Sequence, residues 1–224
     1  MVHDDEEFKT TWDHRVWLLI GLTSVAISLT RSVAGSLGAS GCLWPYSLFT
    51  GFLGYLAADL TSGFYHWAID NYGRPNTPIA GSYINTFEGH HKWPTSPTYY
   101  EAVSGTYKIA QGVAFILLPL DYFVTNPLLL SFLGAYGGFA TFSAQFHEWA
   151  HRPKSSVPRI VVMLQNMGIL LPPQKHAKHH RPPHEGTYCT ISGLCNHFLD
   201  NCGVLRGLEM VLFSVFGVRP RSWN

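Results

Sequence analysis

Nine of the chain's twelve histidines fall in four short clusters: His66; His90 and His91; His147 and His151; and His176, His179, His180 and His184. Imidazole is a common neutral metal ligand, and clusters this far apart in sequence need a fold to collect them. His147 and His151 lie four residues apart, one helical turn on one face, so a single ion could take both. His176 and His179 repeat the device at a spacing of three, and His180 points about 100° away round a helix, as if toward a neighbouring ion. His184 follows Pro182-Pro183, which ends a helix and turns the chain back. Nine imidazoles gathered without a partner would repel as cations and be costly to bury, and coordination resolves both problems. His3, His14 and His197 lie outside the clusters and carry no such argument.

The count bears on the metal. Zinc is satisfied by three or four ligands, which would leave five histidines without a task. Two six-coordinate irons use eight or nine nitrogens and keep positions for O2. Imidazole also suits zinc and copper, so the count favours a di-iron centre without excluding other pairs. His147-Glu148-Trp149-Ala150-His151 is also a formal match to the zinc metalloprotease helix. That intramembrane protease reading needs one further ligand, and seven more clustered histidines are on offer.

Two acids stand near His66. Asp59 sits two turns before it inside an apolar run, where an acid is a functional candidate, and Asp70 sits one turn after it. Both are expected to accept the free N–H of ligating imidazoles and so fix their tautomers. Asn166, with Gln165 beside it, is a candidate to hold a metal-bound water. Arg152, Lys154, Lys175, Lys178 and Arg181, with Arg159, form a basic rim suited to an acidic electron carrier or a lipid phosphate.

The elements that must position these groups are helices in a membrane. Hydrophobic residues make up 46% of the 224-residue chain and charged residues 13%, too few to cover a water-soluble surface. The apolar runs Trp17 to Ala34, Leu43 to Tyr65, Gly105 to Leu120 and Pro127 to Phe146 are expected to form about four spans of an all-α integral membrane protein. A fifth run, Val157 to Leu171, suits the interface better. Four spans put all nine clustered histidines on one side, so the di-metal site is capped there. Lysines and arginines share that side, Arg31 alone excepted, which turns it toward the cytoplasm or its organellar equivalent. No linker divides residues 1–224, which read as one domain with a disordered start over residues 1–12.

A net charge of +1 gives no basis for a nucleic-acid partner. The acidic start shows neither a signal peptide nor a transit peptide. Cys42, Cys189, Cys195 and Cys202 form no C-x-x-C pair and read as small apolar residues. Without a Gly-rich nucleotide loop or a cysteine pattern for haem or Fe–S, electrons must arrive from another protein.

The segments Asp59-Leu-Thr-Ser-Gly-Phe-Tyr-His66-Trp-Ala-Ile-Asp70-Asn-Tyr-Gly, Gly89-His-His-Lys-Trp-Pro-Thr95, Gln145-Phe-His-x-Trp-Ala-His151 and Gln174-Lys-His-Ala-Lys-His-His-Arg-Pro-Pro-His184 resemble the membrane lipid desaturase family that includes Kua and plasmanylethanolamine desaturase. The resemblance runs from Asp13 nearly to the end. Within the family, His91-Lys-Trp-Pro-Thr, the stretch from Asn71-Tyr-Gly to Thr77-Pro-x-x-Gly81 and the tail Gly217-Val-Arg-Pro-Arg-Ser-Trp223 look like the plant plastid branch, fatty acid desaturase 4 and its relatives. The resemblance implies an O2-dependent acyl-lipid desaturase in a plastid membrane, with the nine histidines holding two irons. It implies a Δ3-trans double bond placed in palmitate on phosphatidylglycerol, the alternative substrate being an ether lipid of the plasmanylethanolamine type. Ferredoxin is the implied electron donor, with a cytochrome b5-type carrier as alternative. Position 148 is not fixed as Glu in the family, which counts against the protease. Position 166 is often Asp there and is Asn here.

Overall fold

The computed structural model describes residues 8–38, 41–77 and 81–223. Among them the regular elements are all helical: α1 (Trp12–Gly38), α2 (Trp44–Tyr72), α3 (Gly81–Lys92), α4 (Ala102–Phe123), α5 (Pro127–Thr141), α6 (Ser143–His151), α7 (Arg159–Asn166), α8 (Pro173–His179), α9 (Asn196–Asn201) and α10 (Val204–Phe216). The chain divides into two compact units, Met1–Ala58 with Tyr100–Gln145, and Asp59–Tyr99 with Phe146–Asn224. Each is built from two separated stretches, which is why no linker marks a boundary in sequence. Of the start expected to be disordered, residues 1–7 lie outside the described residues. From Phe8 the chain is tied down: its ring meets Tyr100 edge-on at 4.8 Å, and the Thr10 amide donates to Glu101 at 2.9 Å.

The first unit is packed inside out relative to a soluble protein. α1 buries Gly21, Ser24, Val25, Ser28, Ser32 and Ser36, while Leu19, Val33 and Leu37 face outward. Small residues at helix contacts let backbones approach where lipid supplies no hydrophobic drive between helices. Gly54 shows the need: a Cβ there would collide with the Phe132 carbonyl oxygen. The hydroxyls find partners inside, Ser28 donating to Asp121 at 2.6 Å and Ser131 to the Ser47 carbonyl at 2.6 Å. Arg31, the exception to the charge bias, donates to the carbonyls of Asp121 and Val124, where α4 ends with acceptors that have no helical partner.

By length and apolarity, α1 and α4 can cross a membrane, and α5 with α6 forms a third span if the pair, bent at Phe142, counts as one. α2 is long enough at 29 residues but is not among them, because its second half carries Asp59, Ser62, His66, Asp70 and Asn71. The run expected at the interface becomes the short α7, followed by an irregular stretch to Pro172.

The second unit has a different interior. Trp67, Tyr188, Cys189, Leu199 and Leu205 form one apolar cluster, Val157, Val161 and Leu170 another. Beside them are buried His66, Asp70, His90, His147, His176 and His179.

Candidate metal centre

All nine clustered histidines lie in the second unit, on α2 (His66), the last turn of α3 (His90, His91), α6 (His147, His151), α8 (His176, His179), its cap (His180) and the loop after it (His184). Eight of them, with Asp70, form two groups: His90, His147, His151, His176 and His180; and His66, Asp70, His91 and His179. Within each group, one potential ligand atom per residue lies within 4.8 Å of every other.

The five-histidine group follows from helical spacing. His147 and His151 stand one turn apart on α6, with Nε2 atoms 3.1 Å apart. His176 Nε2 lies 2.8 Å from that of His147, 2.9 Å from that of His151 and 3.0 Å from that of His180. Four ring nitrogens thus converge on one place.

In the second group the backbone sets the tautomers. His66 donates Nδ1–H to the Tyr188 carbonyl at 2.9 Å, and His179 donates Nδ1–H to the Gly186 carbonyl at 2.9 Å, because a carbonyl can only accept. In a neutral ring the Nε2 then carries a lone pair. Both lone pairs face Asp70 Oδ2, at 3.2 Å each. His91 Nε2 adds itself 2.9 Å from His179 Nε2 and 3.5 Å from the same carboxylate oxygen. Burial, reinforced by neighbouring imidazoles, holds His176 well below the usual histidine range and His180 near 2. Burial likewise lowers His179 and brings His91 to about 3, both against an opposing pull from Asp70. Three imidazole Nε2 atoms, of His66, His91 and His179, thus lie within 3.5 Å of one buried carboxylate oxygen, a donor set that a transition-metal ion takes. The residues therefore fit a metal.

The other expected residues separate. Asp70, expected behind the ligands, has its carboxylate inside the second group. His184 is in neither group; its ring stacks on His91 at 4.5 Å and its Nδ1 lies 3.2 Å from the His179 carbonyl. Asp59 is fully buried, but it accepts from the backbone amides of Ser192 (2.7 Å), Gly193 (3.1 Å) and Cys195 (3.0 Å), so it shapes that loop instead of orienting an imidazole. Asn166 is exposed at the end of α7, outside both groups, while Gln165 is buried. Glu148 is paired with Arg152, four residues on, and is in neither group. That pair also engages one member of the expected basic rim, Arg152 reaching on to the Thr98 carbonyl. Lys154, Lys178 and Arg181 are exposed and Lys175 is partly buried.

A supporting network went unnoticed in sequence. Asn71 Nδ2 donates to the Tyr188 hydroxyl (3.2 Å) and to the Trp67 carbonyl, and Asn71 Oδ1 accepts from the Ser222 amide. Buried Glu209 accepts from the indoles of Trp67 (3.1 Å) and Trp223 (2.7 Å). The signal for Glu209 was there: a lone acid in an apolar helix, the pattern that drew attention to Asp59. A cavity of about 370 Å³ opens on the second group, lined by Asp70, Asn71, His91, Pro183, His184, Arg221 and Ser222.

Fold and site together define an all-helical membrane protein with a histidine-rich centre suited to transition metals. The lipid desaturase domain model matches residues 55–223, a stretch that contains all nine histidines, and the chain belongs to that family and is an oxidoreductase. It is 45% identical to "Fatty acid desaturase 4, chloroplastic" of Arabidopsis thaliana over 96% of this chain and 66% of that protein. It is 42% identical to "Fatty acid desaturase 4-like 1, chloroplastic" of the same plant over 99% of this chain and 75% of the relative. "Plasmanylethanolamine desaturase" of Myxococcus xanthus is 35% identical over 76% of this chain and 62% of its own. No solved structure matches the chain.

Proposed function

We propose that this chain is an O2-dependent acyl-lipid desaturase that holds two irons, one in each histidine group, and introduces a Δ3-trans double bond into palmitate on phosphatidylglycerol in a plastid membrane. The observation that carries the reading is the convergence of two adjacent sets of imidazoles in one buried unit. Nε2 contacts of 2.8 to 3.1 Å bring these imidazoles close enough to share an ion. The names of the relatives supply the substrate class, and the plastid branch of the resemblance supplies the bond position.

Iron, when bound, supplies the activation of O2 by which two hydrogens leave an acyl chain, two electrons and two protons enter, and two waters form. The chain's own residues do the rest. Tyr188 and Gly186 carbonyls fix which nitrogen of His66 and His179 faces the centre. The cavity beside Asp70 and His91 is walled by polar groups, Asn71, His184, Arg221 and Ser222, and so suits the ester end of a lipid better than its tail. A double bond near the carboxyl group requires that orientation, with the headgroup at the same face. α2 joins α1, α4 and the α5–α6 pair as a fourth span, its polar half shielded by protein. Electrons come from a separate carrier, ferredoxin by resemblance or a cytochrome b5-type protein, with Lys154, Lys175, Lys178 and Arg181 as its landing site. The zinc protease reading loses its general base, because Glu148 is held by Arg152.

Expression of the chain in a desaturase-deficient host, followed by mass spectrometry with double-bond localisation, tests the proposal. A new trans bond at Δ3 of phosphatidylglycerol palmitate is the expected result. A vinyl ether in the ethanolamine lipids would transfer the assignment to ether lipids. A purified protein active without iron would end the di-iron reading.

A further inference from the structure

We propose that α10 is a membrane-surface helix whose outer face is buried at the boundary between lipid headgroups and acyl chains. With 13 residues it falls well short of the roughly 20 needed to cross the hydrocarbon core. Its inner side is settled: Leu205 belongs to the cluster around Trp67 and Leu199, Leu212 packs against it, and Glu209 is bound by two indoles. At about 100° per residue, the opposite side presents Gly207, Met210, Val211 and Ser214, with Val215 at its border and one hydroxyl among them. Met210 is 60% exposed, Val211 55% and Val215 64%. A continuous apolar strip of this kind marks a contact surface.

The flanks identify what covers it. Arg206 lies over the Trp223 ring at 4.6 Å and Arg219 over the Phe213 ring at 5.3 Å. Arg206 is also paired with Glu209 at 3.2 Å yet keeps its side chain 60% exposed, and Arg219 is exposed, so both guanidinium groups are open to phosphate at the edge of an apolar layer. The helix's acid, Glu209, is turned inward, so nothing on the outer face repels an anionic headgroup. Apolar strip, cationic flanks and aromatic neighbours together match a helix lying in the plane of a bilayer that contains anionic lipid. Glu209 also receives Trp67 of α2, and Arg221 in the following tail donates to the carbonyls of Ile69, Asp70 and Gly73. α10 thereby holds the end of α2, with His66 and Asp70, at headgroup depth. The inference rests on membrane residence and not on the desaturase chemistry, so the two fail separately.

Nitroxide depth measurement on the full chain tests it. In a Cys42→Ser, Cys202→Ser background, single labels are placed by Val211→Cys and Val215→Cys, with Asn201→Cys as an exposed reference. The protein is reconstituted in vesicles of phosphatidylcholine with phosphatidylglycerol, and collision rates with O2 and with a water-soluble nickel chelate are compared. The ratio of O2 to nickel accessibility at Val211→Cys and Val215→Cys is expected to exceed that at Asn201→Cys at least about fivefold, as for a side chain below the headgroups. Equal ratios would overturn the proposal. Dipolar broadening between Val211→Cys labels on different molecules would assign the strip to a second copy and also overturn it.

Discussion

The two histidine groups are built to different recipes. One consists of five imidazoles and no carboxylate. The other has three imidazoles and Asp70, with two rings anchored through Nδ1 to backbone carbonyls. A carboxylate brings a charge that an imidazole lacks, so an ion in the second group is partly neutralised in place, while an ion in the first keeps its full charge. The difference teaches that the pair of sites is electrostatically asymmetric. On this basis the second group is expected to bind an ion more tightly, and an ion in the first to be the more electrophilic and more exchangeable.

The largest effect is expected from removing a shared corner of the first group. His176 Nε2 lies within 3.0 Å of the Nε2 atoms of His147, His151 and His180, so His176→Ala deletes the contact common to all three. Desaturation should fall to background and iron should drop from two per chain toward one, measured by elemental analysis of purified protein. Loss of both irons would show that the groups fill cooperatively and are not two independent sites.

Asp70→Asn attacks the asymmetry directly. It keeps size but removes the charge that three imidazoles of the second group face. Iron affinity of that site is expected to weaken by at least about 10- to 100-fold, the cost of disturbing even the groups that only orient a metal's ligands. A chelator titration should then extract iron from both sites over the same concentration range, where release in two steps is expected of the unaltered protein. Two steps persisting in the variant would contradict the assignment of Asp70 to the tighter site.

Asp59→Asn should separate folding from metal binding. Its carboxylate accepts three backbone amides of the 192–195 loop, and charge-assisted hydrogen bonds contribute about 1.5–3 kcal/mol each where they are fully lost. An amide oxygen retains part of this, so a loss of about 2 kcal/mol is expected, a fall in Tm of about 4–8 °C for a chain of this size. Iron content at low temperature should remain two. A selective loss of one iron would return Asp59 to the metal site.

What could be read from sequence divides along the same physical line. His147 with His151, and His176 with His179, were legible because helical spacing alone puts them on one face. Asp70 stands at the same spacing of four from His66, yet spacing does not distinguish an acid that binds a metal from one that supports a ligand. Asp59 was visible as an acid that needed partners. Those partners are amides more than 130 residues later in the chain, at Ser192, Gly193 and Cys195, and no local pattern points there. The same holds for α2: its apolar first half reads as a span, but only the packing of the second unit shows why its second half carries Asp59, His66, Asp70 and Asn71.

The smallest effect is expected at Glu148, where the comparison can be sharpened most. It is the one acid on the helix that carries His147 and His151, and it would erase the difference between the groups if it joined the first. Instead Arg152, just past the end of α6, holds it. Glu148→Gln should therefore leave iron at two per chain and activity within about threefold, since a buried pair is disturbed but no ligand is lost. Arg152→Met tests the converse, because it releases a buried carboxylate one residue from His147. Iron in the first group should then resist chelation more strongly, by roughly the 10- to 100-fold that Asp70→Asn removes from the second. If Glu148→Gln alone empties the first group, Glu148 is already a ligand there, and the asymmetry between the two groups does not exist.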